Sequence, residues 1–266
     1  MDALASPPRL GAAFLSSGSR GNLAAVTCGD ETILVDVGVS AKEACRRMEL
    51  AGIAPSGVRA ILLTHEHVDH VSGVRVLARR LGVPVYATEG TLRAADGALR
   101  DVECTERLRV GDELAIAGVR IRAFRTEHDA AEPVGYRFSG PAGDAIGIVS
   151  DTGVLTSAIL EALSGCDAIG IECNHDPDML ARGPYPGFLK RRIASVRGHL
   201  SNTAAAQAVE TLMADTLRTL VALHLSEQNN TAALAREALE CAVRRLGAGT
   251  RVEVSSQREP LRCDTT

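Results

Sequence analysis

The stretch His65-Glu66-His67-Val68-Asp69-His70 places three histidines and an aspartate within six residues. It follows an apolar run from Arg59 to Thr64 that reads as a strand, and it precedes an apolar helical pattern over Val71 to Leu81. So dense a polar turn between two core-forming segments has no packing benefit. Imidazoles suit zinc and related divalent ions, and a carboxylate with a third imidazole in the same turn serves a second ion. A buried strand in this chain therefore ends in a polar site rather than in an ordinary loop.

The rest of the chain supplies a sheet-rich frame. Strands are predicted over Leu10 to Ser16, Leu23 to Cys28 and Thr32 to Val37, with turn chemistry in Ser17-Gly18-Ser19-Arg20-Gly21-Asn22 and Gly29-Asp30-Glu31. Ser40 stands three residues before Glu43, a capping-box pattern that starts a helix ending at Gly52. Further strands are predicted at Val83 to Ala87, Glu113 to Ala117, Val119 to Phe124, Val134 to Phe138, Ala145 to Ser150, Ala168 to Glu172, Thr219 to Leu223 and Arg251 to Ser255. Helices are predicted near Thr156 to Leu163, Ser201 to Met213 and Ala232 to Leu246. Two face-to-face sheets with helices outside satisfy that order. With 266 residues, 45% of them hydrophobic, and no linker or repeat, one domain over 1–266 is expected. Aromatic content of 3% with no Trp makes the core aliphatic.

The first residues, Met1 to Pro8, show no basic start and no long apolar run, so no export signal is expected. No apolar stretch is long enough for a membrane span. Seven scattered cysteines without a CxxC pair argue against a disulfide framework and against a cysteine-rich zinc ribbon, and fit a reducing cytoplasm. A net charge of −4 excludes a broad polycationic surface but leaves room for the local strip Lys190-Arg191-Arg192.

Three further residues stand where apolar strands end: His128 in Thr126-Glu127-His128-Asp129, Asp151 after Ile146 to Ser150, and His224 after Leu220 to Leu223. Together with the first cluster they resemble, in order, the HxHxDH and later motifs of the metallo-β-lactamase superfamily. The resemblance implies an α/β fold, a four-layer αββα sandwich. It also implies a two-metal site in which His65, His67 and His128 hold one ion and Asp69, His70 and His224 the other, with Asp151 bridging. Asp36, in Leu34-Val35-Asp36-Val37-Gly38, resembles the family's strand-end aspartate that braces the histidine turn from behind; an ordinary turn former would look the same.

Arg197-Gly198-His199-Leu200-Ser201-Asn202 and His224-Leu225-Ser226 resemble motifs of ribonuclease Z and related phosphodiesterases. The set Ser17 to Asn22, Gly38 to Lys42, His128 to Pro133, Glu172-Cys173-Asn174-His175-Asp176, Gly183 to Pro186 and Gly198 to Asn202 is similar to the YycJ/WalJ-like branch, over about Phe14 to Ala232. That branch implies a DNA exonuclease running 5′ to 3′ and a part in DNA repair. The interval from His128 to Asp151 is too short for the inserted domain of β-CASP nucleases, and no Gly- and Lys-rich arm of the ribonuclease Z kind is present.

By resemblance, Asp69 and His199 form the catalytic set, with His199 protonating the leaving oxygen or clamping a phosphate oxygen; a support at the next helix start is its other reading. His175 and Glu172 either face the pocket or serve as structural groups. Ser17 and Asn22 belong to a loop with the makings of an anion site or of a plain hairpin turn. Lys190, Arg191 and Arg197 either neutralise phosphates or form a solvated face. The implied cofactors are two divalent ions, zinc or manganese with iron allowed, holding a bridging hydroxide as nucleophile. The implied partner is nucleic acid, DNA ahead of RNA, with no membrane and with a homodimer allowed. Two other readings stand beside it: a small-molecule metallohydrolase acting on a cyclic phosphodiester or thioester, and a non-catalytic binding member that has lost ligands.

Overall fold

A computed structural model describes residues 6–212 and 216–265. Met1 to Ala5, within the start read as carrying no export signal, and Met213, the predicted end of a helix, lie outside the described residues.

Alternation along the strands sets the layers. In β1 (Leu10–Ser16), Leu10, Ala12 and Phe14 enter one apolar cluster while Ala13 and Leu15 enter another, because successive side chains of a strand point to opposite faces. The chain continues through β2 (Leu23–Cys28), β3 (Glu31–Val35), β4 (Val58–Leu62), β5 (Val85–Ala87) and β6 (Thr105–Arg107). A second sheet holds β7 (Glu113–Ile116), β8 (Val119–Arg125), β9 (Val134–Ser139), β10 (Ala145–Val149), β11 (Ala168–Glu172), β12 (Thr219–Leu223) and β13 (Arg251–Val254). β14 (Leu261–Asp264) returns to pair antiparallel with β1. The orders are β14-β1-β2-β3-β4-β5-β6 and β13-β12-β11-β10-β9-β8-β7.

Leu10, Phe14, Val26, Ile121, Tyr136, Phe138, Ile148 and Val221 pack in the cluster between the sheets. The outer face of the first sheet is covered by α1 (Ala41–Leu50), α2 (Val68–Val71), α3 (Val74–Leu81), α4 (Glu89–Ala94) and α5 (Asp96–Leu99), with Met48, Val74, Leu77 and Leu99 packed on it. The outer face of the second is covered by α6 (Ser157–Leu163), α9 (Asn202–Leu212) and α10 (Ala232–Arg245), through Ile159, Leu163, Val209 and Leu239. Between them in sequence lie α7 (Pro177–Arg182) and α8 (Gly187–Ile193). The layers are thus helix, sheet, sheet, helix, as expected.

Each sheet is antiparallel on one side and parallel on the other. β3 to β6 run parallel in the first, and β10 to β13 in the second. Parallel strands end at one edge, and ligand sites in such sheets gather outside their carboxyl ends. Asp36, His65, Asp151, Glu172 and His224 sit at or just beyond the ends of β3, β4, β10, β11 and β12.

Several element expectations need correction. The helix predicted over Val71 to Leu81 is two, broken at Ser72-Gly73, because Gly73 packs so tightly that an added Cβ would lie 1.9 Å from the Val39 carbonyl oxygen. β3 stops at Val35 rather than Val37, since Asp36 turns left-handed at φ 59°. β6, β14, α4, α5, α7 and α8 were not anticipated.

Candidate metal centre

The histidine turn is held from behind before any ligand is considered. The Asp36 carboxylate accepts from Thr64 N and Thr64 Oγ1, both at 2.8 Å, and pairs with His70 Nδ1 at 2.7 Å. Thr64 Oγ1 also stands 3.0 Å from His65 Nδ1. Both imidazoles therefore turn Nε2 away from this support, the usual device for fixing the tautomer and direction of a metal-bound histidine. Gly38 closes the turn against β3: Val37 N donates to His70 O and Asn22 N to Asp69 O, and a Cβ at Gly38 would meet that same Asp69 oxygen at 1.6 Å.

The second sheet supplies the opposite wall. His128 follows β8 and donates Nδ1 to the Gly198 carbonyl at 2.9 Å, so its Nε2 faces inward. Asp151 and His224 both leave their strands in the left-handed region, at φ 54° each. Such backbone is costly for residues other than glycine and gathers at functional positions. His224 is held by Ser17 Oγ, which accepts from its N–H at 2.8 Å, and by the Asn174 amide, which donates to its carbonyl at 3.0 Å.

Two triads result. The ligand atoms of His65, His67 and His128 lie within 4.8 Å of one another, as do those of Asp69, His70 and His224. Asp151 stands between them, with Oδ2 3.3 Å from His70 Nε2 and Oδ1 3.9 Å from His128 Nε2. His70, His65, His128, Asp151 and His224 are buried.

This donor set fits divalent ions on three counts. His65 Nε2 and His224 Nε2 are buried and have no hydrogen-bond partner, a costly state unless something binds there. The inward contacts of His70 Nε2 and His224 Nε2 with Asp69 Oδ2 are 3.6 and 3.5 Å. That is too long for a charge-assisted hydrogen bond at about 2.7–2.9 Å, but close to the ~3.4 Å edge of a tetrahedron whose ligands stand about 2.1 Å from a shared ion. The chemistry of the set, imidazole with carboxylate, also suits zinc, manganese or iron.

The charges are strongly coupled. Burial opposes a proton on His70, yet Asp36 and Asp151 outweigh it and hold its pKa well above the ordinary imidazole value. Burial likewise opposes the Asp151 anion, but His224 and His70 keep that carboxyl well below the usual range. His65 is held well below, first by burial and then by His70. For His224, burial is overcome by Asp151, Asp69 and Glu172, and its pKa is pushed up to about 10.

Beside the triads, His199 Nδ1 pairs with Glu172 Oε1 at 2.7 Å, which leaves Nε2 as its free ring nitrogen. Burial disfavours the imidazolium, but Glu172 prevails and raises the His199 pKa. Glu172 also accepts from Thr152 N at 2.8 Å. A cavity of about 270 Å³ opens over this arrangement, lined among others by His67, His128, Asp151, His199 and His224.

Other expected residues lie elsewhere. In the loop from Ser17 to Asn22 the amides of Ser17, Gly18, Arg20, Gly21 and Asn22 already donate within the protein, and Ser19 lines the cavity. Ser17 and Asn22 instead hold His224 and the His70 side, with Asn22 Nδ2 3.0 Å from His70 Nε2. His175 is buried and bridges to Ser201 rather than lining the cavity. Lys190 Nζ donates to the Ala181 carbonyl, Arg197 donates to the His128 carbonyl, and Arg191 is exposed. The sequence reading missed Thr64, Asn174, Tyr185 and the Arg192–Asp129 pair. Only Thr64 carried a signal, its place directly before the histidines; the others depend on tertiary contacts between distant segments.

Residues 31–225 match the family described as beta-lactamase superfamily domain. The chain is 35% identical over 237 residues to "Exodeoxyribonuclease YycJ" of Bacillus anthracis, covering 88% of this chain and 89% of that one. It is 34% identical over 226 residues to "Exodeoxyribonuclease WalJ" of Streptococcus pneumoniae, covering 84% of each. Among solved structures it resembles the metallo-β-lactamase fold protein YhfI of Bacillus subtilis, with a TM-score of 0.72 at 13% identity over 96% of this chain and 100% of that one.

Proposed function

This chain belongs to the metallo-β-lactamase branch of the beta-lactamase superfamily, and from that premise we propose that it is a two-metal nuclease that removes nucleotides from DNA ends, in the 5′ to 3′ direction. It is a metal-dependent hydrolase by family. The observation that carries the two-metal reading is the placement of one buried carboxylate, Asp151, between two imidazole-rich triads drawn from both sheets. The choice of DNA rests on the likeness, over nearly nine-tenths of both chains, to a protein named as an exodeoxyribonuclease.

His65, His67 and His128 would hold one ion and Asp69, His70 and His224 the other, each sharing Asp151. When bound, divalent ions polarise phosphoryl oxygens and lower the pKa of water. The remaining work falls to this chain's own side chains. Asp36 and Thr64 keep the two imidazoles of the turn in one tautomer. Glu172 raises the His199 pKa and leaves its Nε2 free, so that a protonated His199 would donate to the departing oxygen of a phosphodiester, a step worth about a hundredfold or more. Seven unpaired cysteines, Cys173 among them buried beside Glu172, support a reducing, cytoplasmic setting.

The test is hydrolysis of end-labelled DNA and RNA with manganese and with zinc, for the wild-type chain and for Asp151→Ala. DNA degradation from the 5′ end that vanishes in the variant, with reduced metal content, is expected. Intact DNA alongside turnover of bis-para-nitrophenyl phosphate would replace the nuclease reading with a small-molecule diesterase.

A further inference from the structure

The chain has four phenylalanines, and three of them, Phe14, Phe124 and Phe138, are buried. Phe188 is 68% exposed. It sits on α8, no residue of which is buried, so burial in the core does not explain why this segment carries an aromatic ring.

The position of α8 is nonetheless well determined. Arg192 Nε donates to Asp129 Oδ2 at 2.8 Å, beside His128. A Cβ added at Gly153, two residues beyond Asp151, would meet Ser195 O at 2.1 Å, and one at Gly198 would meet Arg192 O at 2.2 Å. The helix and the turn after it are thus packed directly against the ligand-bearing loops. Leu189, Arg192 and Ile193 line the cavity over the metal ligands. Residues three and four apart share a helix face, which places Phe188 next to Arg191 and next to Arg192, the latter lining the cavity.

Charge selects the occupant. The segment 182–197 holds five cations and no acidic residue, in a chain whose net charge is −4; Arg182 and Arg192 pair with Asp178 and Asp129, which leaves Lys190, Arg191 and Arg197. Arg191 has no acidic partner among the described residues. An exposed ring flanked by guanidinium groups on a locally cationic strip is the arrangement by which proteins hold unpaired nucleic-acid strands: bases stack on the ring while cations follow the phosphates.

We propose that Phe188 is a stacking platform for an unpaired base next to the scissile nucleotide, with Arg191 on the adjoining phosphate, so that the substrate reaches the metal centre as a single strand or a frayed end. This rests on the nuclease reading above and narrows it.

The test uses the absence of tryptophan from the chain. Phe188→Trp introduces the chain's one tryptophan, whose emission a thymidine oligonucleotide of about ten residues, within the site sizes usual for single-strand binders, should quench. An oligonucleotide of equal length and charge with abasic sites should not. In anisotropy titrations the wild-type chain should prefer the thymidine strand over the abasic one by about tenfold, and Phe188→Ala should lose that preference. Equal wild-type affinity for both strands, or a preference that survives in Phe188→Ala, would overturn the stacking role while end-directed cleavage by the wild type upheld the parent reading. A wild-type chain that neither binds nor cleaves either strand would remove both. A dimer that dissociates in Phe188→Ala would assign the ring to self-association and overturn the proposal.

Discussion

Asp36 binds no ion in the arrangement described, yet three hydrogen bonds converge on its buried carboxylate and through them two ligands are aimed. Replacing it with Ala strands Thr64 N–H and His70 Nδ1 in the interior, at a cost of about 1–3 kcal/mol for an unsatisfied buried group. Supporting partners of this kind typically change metal affinity or activity by about 10–100-fold. Asp36→Ala is therefore expected to lower metal affinity within that range in chelator competition, and wild-type affinity would show that the turn holds its shape unaided. Glu172 acts on two neighbours, since its Oε1 lies 2.7 Å from His199 Nδ1 and 3.4 Å from His224 Nδ1. Glu172→Gln should lower kcat per bound metal about a hundredfold, measured by turnover and metal analysis on the same sample; an undiminished kcat per bound metal would remove His199 as proton donor. At this scale the seven candidate ligands could be read because they stand at the ends of apolar runs or in the one polar turn that follows such a run. Asn174 and Arg192 could not, because what they do is defined by His224 and Asp129, residues far away along the chain.

Among the elements, α1 shows how a local pattern is completed by a distant one. Ser40 caps it by accepting from Glu43 N at 3.3 Å, as the capping box implies. What the pattern does not disclose is that the Glu43 carboxylate also clamps Arg46 and Arg47, each at 2.6 Å, and that buried Arg47 donates to the Leu15 carbonyl of β1 at 2.8 Å. These guanidinium hydrogen bonds pull the Glu43 pKa from 4.5 to about 2. A depressed carboxyl contributes its stability above the unfolded value and loses it as pH falls toward the folded one. The contribution is thus complete above pH 4.5 and fades toward pH 2. Allowing for partial exposure it amounts to about 1 kcal/mol. Glu43→Gln should lower the neutral-pH melting temperature and flatten its fall in that acid window, and an unchanged acid limb in thermal scans would show the clamp to be energetically neutral. Two of the unanticipated elements, β6 and α8, share a reason for escaping the sequence pattern. β6 is exposed throughout and α8 buries nothing, so neither carries the hydrophobic periodicity that betrays a core-facing segment.

For the molecule as a whole, the metal site is also a seam. Asp69, His65, His67 and His70 come from the first sheet's edge, and His128, Asp151 and His224 from the second's. Ions bound there would tie the two halves together beyond what the shared apolar layer between them achieves. A ligand that binds only the folded state stabilises by about 2.7 kcal/mol at a hundredfold excess over its dissociation constant. For a chain of this size that corresponds to roughly 5–10 °C in melting temperature. Stripping metal with EDTA should lower the melting temperature by about that much, and restoring zinc or manganese should recover it. The decisive comparison is Asp151→Ala, which removes the carboxylate standing between the two triads while leaving the six other candidate ligands. If the variant shows no metal-dependent shift, the bridge between sheets is the source of the stabilisation. If it shifts as the wild type does, the triads hold the ions without Asp151 and its assignment as the bridging carboxylate is wrong.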